Sequence, residues 1–201
     1  KAKGAYFWDV DNNQYLDFSN ALASVTLGYC DSDVDSAVKK QMECGVTFSL
    51  PHTLEVDVAK MLIEAIPCAE QVRFAKNGTD ATSGAVRVAR AFTGKERVAV
   101  CGYHGWQDWY IGSTTKNLGV PKCVQDLTHT FNYNNIDSLK NILEEYPDEF
   151  AAVIMEPMSG EYPKDNFLEK VKELTHNSGA LLIFDETVTG FRVSYGGAQE
   201  L

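Results

Sequence analysis

The chain is short of basic residues. Eighteen Lys and Arg stand against 28 Asp and Glu in 201 residues, a formal net charge of -10. A surface of that sign repels the nucleic-acid backbone and anionic membranes, so neither is expected as a partner, although a local pocket for a small anion remains compatible. No apolar run approaches the ~18 residues of a membrane-spanning helix. Lys1 to Val10 carry no long apolar stretch of the secretory kind. There is no C-x-x-C pair: Cys30, Cys44, Cys68, Cys101 and Cys123 are few, odd in number and widely spaced. Such a set reads as free thiols in a reducing compartment, which predicts a cytoplasmic protein. No internal repeat, Pro-rich linker or low-complexity tract is present, and no metal is expected. No G-x-G-x-x-G or G-x-x-x-x-G-K-[ST] run follows a predicted strand, which disfavours a nucleotide-binding enzyme.

What is present is an alternation of apolar patterns. Ala5–Trp8 and Tyr15–Phe18 flank the turn-rich stretch Asp9 to Gln14 and predict a hairpin. Asp31 or Ser32 caps a predicted helix through Val34, Val38 and Met42, ending near Gly45. Val56, Ala59, Leu62, Ile63 and Ile66 predict a second helix, which Pro67 stops. Beyond it, strands are predicted at Gln71–Ala75, Arg97–Cys101, Thr130–Tyr133, Ala151–Met155 and Ala180–Phe184. Helices are predicted at Thr79–Phe92, Ile136–Tyr146 and Phe167–Asn177, with Gly102–Gln125 as a long functional loop. This order gives an α/β domain with a mostly parallel sheet over residues 51–201 and an N-terminal hairpin arm over 1–50.

The chemistry sits at predicted strand ends, where open α/β sheets bind ligands. Lys76-Asn77-Gly78-Thr79 joins a strand to a helix, and the amides of a helix N-terminus suit a phosphate. Taken alone, the same pattern is an ordinary helix cap. Gly102-Tyr103-His104-Gly105-Trp106 follows the next strand, and Tyr103 offers a ring that can stack on a flat heteroaromatic group. His104 reads equally as a general base or as a satisfied structural histidine, and Trp109 as loop packing. Glu156, before Pro157, either orients a group in the cleft or makes a salt bridge or a backbone cap. Glu161 lies in the loop beyond. Asp185 ends the apolar run Ala180–Phe184, and a buried carboxylate there needs a cationic partner; a protonated ring nitrogen is one.

Together these segments resemble class III, fold-type I aminotransferases dependent on pyridoxal 5'-phosphate (PLP), in particular members similar to glutamate-1-semialdehyde aminomutase. The resemblance runs over nearly the whole chain and is carried by Gly4–Asp11, Asn77–Ala81, Tyr103-His104-Gly105, Glu156-Pro157, Phe184–Arg192 and Gly196–Gln199. It implies the large domain of that fold, with a mostly parallel sheet flanked by helices. It implies that Gly78 and Thr79 hold the phosphate and that Tyr103 stacks on one ring face and Thr187 packs on the other. Asp185 then pairs with the ring nitrogen, while Glu156 and His104 lie beside the cofactor. Asp185 and Tyr103 are the residues expected to act in catalysis. The resemblance also implies a homodimer and a small-molecule amino donor and acceptor. It places the lysine that carries the cofactor beyond Leu201, so the chain is read as part of a longer enzyme.

Two departures bear on substrate. Asn20–Gly28 replaces a Trp-Gly-Pro-containing segment expected of the aminomutase, and Glu161 stands where that type has Asn. A glutamate there is similar to the ornithine and γ-aminobutyrate aminotransferases, which implies a substrate-binding role. A transaminase is therefore the leading expectation. The aminomutase is the alternative, and a non-catalytic PLP-fold fragment or binding module is the alternative of another class.

Overall fold

Apolar runs without polar alternation form strands buried on both faces. Two of them, β4 (Arg97–Cys101) and β6 (Phe150–Met155), make the centre of a four-stranded parallel sheet. The computed structural model describes all 201 residues. They form two compact units, Lys1–Val58 and Ala59–Leu201.

In the first unit, β1 (Ala2–Lys3), β2 (Tyr6–Trp8) and β3 (Gln14–Leu16) pair antiparallel, so the expected hairpin gains a third strand. The turn is tied by Asp9, whose carboxylate accepts from the Asp11 and Asn13 amides, the Asn13 side chain and the Tyr15 hydroxyl. A single left-handed turn, α1 (Asn20–Ala23), follows, its four residues having φ of 51, 48, 55 and 67°. Helix α2 (Ser32–Cys44) is capped by Asp31, which accepts from the Asp33 and Val34 amides, and ends at Gly45. Helix α3 (Thr53–Ala65) begins in this unit and runs into the next.

The sheet of the second unit has the order β5-β4-β6-β7, with β5 at Thr128–Thr130 and β7 at Leu181–Phe184. Val98, Val100, Ala152 and Ile154 face one layer, where they pack with Val86 and Ala89 of α4 (Gly78–Thr93). Ala99, Cys101, Val153 and Met155 face the other, against α7 (Ile136–Glu145) and α8 (Phe167–Asn177). Asn77 caps α4 by accepting from the Asp80 amide at 2.9 Å, and Gly94, at φ 70°, closes it. Cys101 pairs with Met155 and Met155 with Phe184, so three strands end level. The residues that follow them therefore meet on one edge of the sheet.

Three expectations change. Gln71–Ala75 forms no strand. Its apolar residues suit one, but a strand exists only through a paired neighbour, and this segment has none. β5 lies two residues earlier than expected, because the ladder to β4 ends at Thr130 and Phe131 turns into the core. The stretch Gly102–Gln125 contains two short helices, α5 (Asp108–Ile111) and α6 (Lys122–Gln125). The first is anchored by Trp109, whose indole donates to Ser83 at 2.9 Å, and by Tyr110, whose hydroxyl donates to the Gly102 carbonyl at 2.8 Å; in the second, the Gln125 side chain donates to the Val120 carbonyl at 2.8 Å.

The start of β4 holds a charged knot. Arg97 pairs with Glu149 at 2.6 Å, stacks over the Tyr146 ring at 4.0 Å and faces the His129 Nε2 at 2.9 Å. Burial, and then the Arg97 charge, hold His129 below its ordinary value of 6.5. As pH falls, the unfolded chain therefore takes up this proton first. The stabilisation is present above the unfolded value and is lost as pH falls through the folded one. We expect a lower urea midpoint at pH 5.5 than at pH 7.5, and a smaller difference in His129→Gln. An unchanged difference in that variant refutes the assignment.

Candidate active site

The sheet edge at which β4, β6 and β7 end carries a cleft of about 290 Å³. Its walls include Gly78, Thr79, Tyr103, His104, Glu156, Asp185 and Thr187, together with Asn77, Gly105 and Val188. Seven candidate residues from four separate sequence segments thus line one space. Glu161 does not line it: it is exposed in the loop after β6 and pairs with Lys164. Val188 was not anticipated, and the sequence offers no signal for it beyond its place next to Thr187.

Across the cleft stands the N-terminus of α4. The Asn77 side chain takes the Asp80 amide and the Asn77 carbonyl takes the Ala81 amide. The amides of Gly78 and Thr79, in the first turn, have no intrahelical acceptor, and the helix end carries a partial positive charge suited to an anion. Two close approaches shape this corner. A Cβ at Gly105, where φ is 108°, would overlap the Thr79 side chain, and one at Gly78 would lie 3.0 Å from the Thr187 hydroxyl oxygen.

Tyr103 is 64% exposed and presents its ring to the opening. Its amide donates to Glu156 Oε1 at 2.9 Å, and its ring meets Tyr110 edge-on at 5.6 Å. Glu156 reaches that amide only because residue 102 is glycine: a Cβ there would lie 2.8 Å from Oε1. Glu156 therefore holds the aromatic turn in place.

Asp185 is only 7% exposed. Oδ2 faces His104 Nδ1 at 2.9 Å, and Oδ1 accepts from the Thr187 amide at 3.0 Å and the Thr187 hydroxyl at 2.6 Å. Burial pushes the carboxyl up, but the hydrogen bonds from His104 and Thr187 outweigh it and hold Asp185 below its ordinary value of 3.8. The second nitrogen of His104 faces the Cys101 carbonyl at 3.1 Å. A hydrogen on Nδ1 satisfies the contact with the carboxylate. His104 is buried at 2% exposure, so its side chain supports Asp185 more than it serves as a solvent-exposed base. Burial pushes the neighbouring Cys101 thiol up to about 11, which makes it a poor nucleophile.

The acid next to Asp185 has a separate task. Glu186 accepts from the Ala198 and Gln199 amides, both at 2.9 Å, and from the Thr189 hydroxyl. It pins the 3-10 turn Ala198–Glu200 to the loop after β7. Of the Asp-Glu pair, only Asp185 faces the cleft.

Comparison with known proteins bears on the family and the fold. The family described as aminotransferase class-III matches residues 1–198. An omega-transaminase from Sphaerobacter thermophilus is 34% identical, with a TM-score of 0.91 over 100% of this chain and 50% of its own. The FumI protein of Sphingopyxis sp. MTA144, solved in a PLP form, is 30% identical, with a TM-score of 0.89 over 96% of this chain and 48% of its own. A glutamate-1-semialdehyde-aminomutase from Pseudomonas aeruginosa PAO1 is 27% identical, with a TM-score of 0.81 over 98% and 46%. The chain spans about half the length of these solved structures. Its α/β fold is that of the PLP-dependent transaminases, and the chain belongs to the class-III aminotransferase family.

Proposed function

We propose that the protein binds pyridoxal phosphate in this cleft and, at full length, transfers an amino group from a small-molecule donor to a keto or aldehyde acceptor. One observation carries the reading: a buried, ionised carboxylate and a helix N-terminus with free amides face the same cleft, with an exposed tyrosine ring at its opening. That donor set matches a phosphorylated, protonated pyridine. The amides of Gly78 and Thr79 suit the phosphate, Tyr103 and Thr187 suit the two ring faces, and Asp185 suits the ring nitrogen. His104 and Glu156 are assigned to holding Asp185 and the Tyr103 turn.

Bound there, PLP supplies an electron sink for a substrate carbon that gives up its proton. The chain's part is electrostatic and positional. Asp185 favours the charged ring, Tyr103 limits its tilt, and the α4 terminus anchors its phosphate end. Glu161 is kept as the candidate substrate contact, which requires it to leave Lys164. Transamination is favoured over the aminomutase reaction because Glu161 and Asn20–Gly28 depart from the aminomutase pattern. A homodimer is proposed from the family and from the few donors in this corner, since a phosphate accepts more hydrogen bonds than two amides and one hydroxyl supply. A cytoplasmic setting is supported by five free cysteines, four of them exposed. No helix is long and apolar enough to cross a membrane.

The test is spectroscopic. Full-length protein mixed with PLP is expected to show a bound-cofactor absorption band that shifts with an amino donor and is restored only by a separate acceptor. Restoration without an added acceptor indicates the aminomutase. The absence of any band refutes the PLP reading and leaves a binding module.

A further inference from the structure

The Asp185 carboxylate has more donors than a simple ring-nitrogen partner needs. A carboxylate offers about four acceptor positions. Three are filled: two on Oδ1 by the Thr187 amide and hydroxyl, at 3.0 and 2.6 Å, and one on Oδ2 by His104, at 2.9 Å. The position that remains is on Oδ2, in a residue that lines the cleft. The Thr187 hydroxyl has its own seat, because a side chain at residue 78 would lie 3.0 Å from it.

We propose that Thr187 is a positioning residue whose hydroxyl locks the Asp185 carboxylate, leaving a single directed acceptor that selects a ring carrying an N–H over an otherwise identical ring without one. The inference rests on the PLP reading and adds to Thr187 a duty distinct from packing against a ring. A threonine methyl serves the packing; only the hydroxyl serves the lock. Without it, each oxygen keeps one donor, the carboxylate is held less tightly, and the remaining acceptor is aimed less sharply. His104 cannot replace the lock, because it holds the other oxygen.

The test compares two non-reactive probes on full-length apoprotein by calorimetry. One is 4'-deoxypyridoxine 5'-phosphate; the other is its analogue with the ring nitrogen replaced by C–H. The wild-type protein is expected to prefer the pyridine probe. Thr187→Val keeps the volume and the methyl group and should lower that preference about tenfold, the scale of one charge-assisted hydrogen bond. Affinity for the C–H analogue should stay near the wild-type value. Thr187→Ser restores the hydroxyl and should recover the preference. An unchanged preference in Thr187→Val overturns the inference while leaving the PLP reading intact, as does an equal loss for both probes, which marks a packing role. Failure of the wild-type protein to bind either probe overturns the PLP reading itself.

Discussion

Asp185→Asn is expected to lower turnover of the full-length protein by about 100- to 1000-fold, the usual effect of removing one preorganised electrostatic group, while the chain remains folded. Asparagine keeps the shape and can still accept from Thr187, but it carries no charge to balance a protonated ring. The loss should appear mainly in kcat, because the carboxylate matters most when negative charge develops on the bound group. The proposed phosphate site at Gly78 and Thr79 is untouched, so the cofactor should still bind. Steady-state kinetics with saturating PLP, beside circular dichroism of the variant, makes the check. Wild-type turnover in a folded variant would remove Asp185 from the site.

His104→Leu is expected to cost about 3 kcal/mol of stability, the scale of removing a hydrogen bond from a buried charged group. Thermal unfolding should fall by roughly 6–12 °C for a chain of this size. The cause is the charge left behind. Asp185 is nearly buried, and its two Thr187 contacts alone must then offset burial. The sign with pH follows. Asp185 is held below its ordinary value in the intact protein, so its stabilisation is present above that value and is lost as pH falls through the folded one. The gap between the wild type and His104→Leu should therefore be wide from pH 7 down to 3.8 and narrow as pH is lowered from there. A gap that stays constant below that value as well would mean that the cost is packing alone.

The fold was legible where the information is local. Asp31 and Asn77 announce helix starts because a short acceptor side chain can reach the amide three residues on. β4, β6 and β7 are legible as apolar runs, since strands covered on both faces carry no alternation. The Gln71–Ala75 segment misled because its residue types suit a strand, whereas pairing depends on a distant partner. The short helices α5 and α6 were missed because four residues carry little helical signal of their own. The first is held instead by Trp109 and Tyr110 reaching Ser83 and Gly102.

The same division runs through the site. Acids at strand ends, an aromatic after a glycine and a helix start after a strand could all be read along the chain, because each depends on near neighbours. Their partners could not. His104 and Asp185 are 81 residues apart, and either reading of the histidine fitted its local context. Glu161 shared the loop chemistry of Glu156 but lies outside the cleft, tied to Lys164. The sequence by itself determined which residue types stand at the strand ends, because strand periodicity and capping are short-range properties. Only the tertiary structure decided that Asp185 is the acid in the cleft, that Glu186 is a staple, and that one acceptor position of Asp185 remains for a ligand. Hydrogen-bond saturation of a buried group is set by everything packed around it, whatever its distance along the chain.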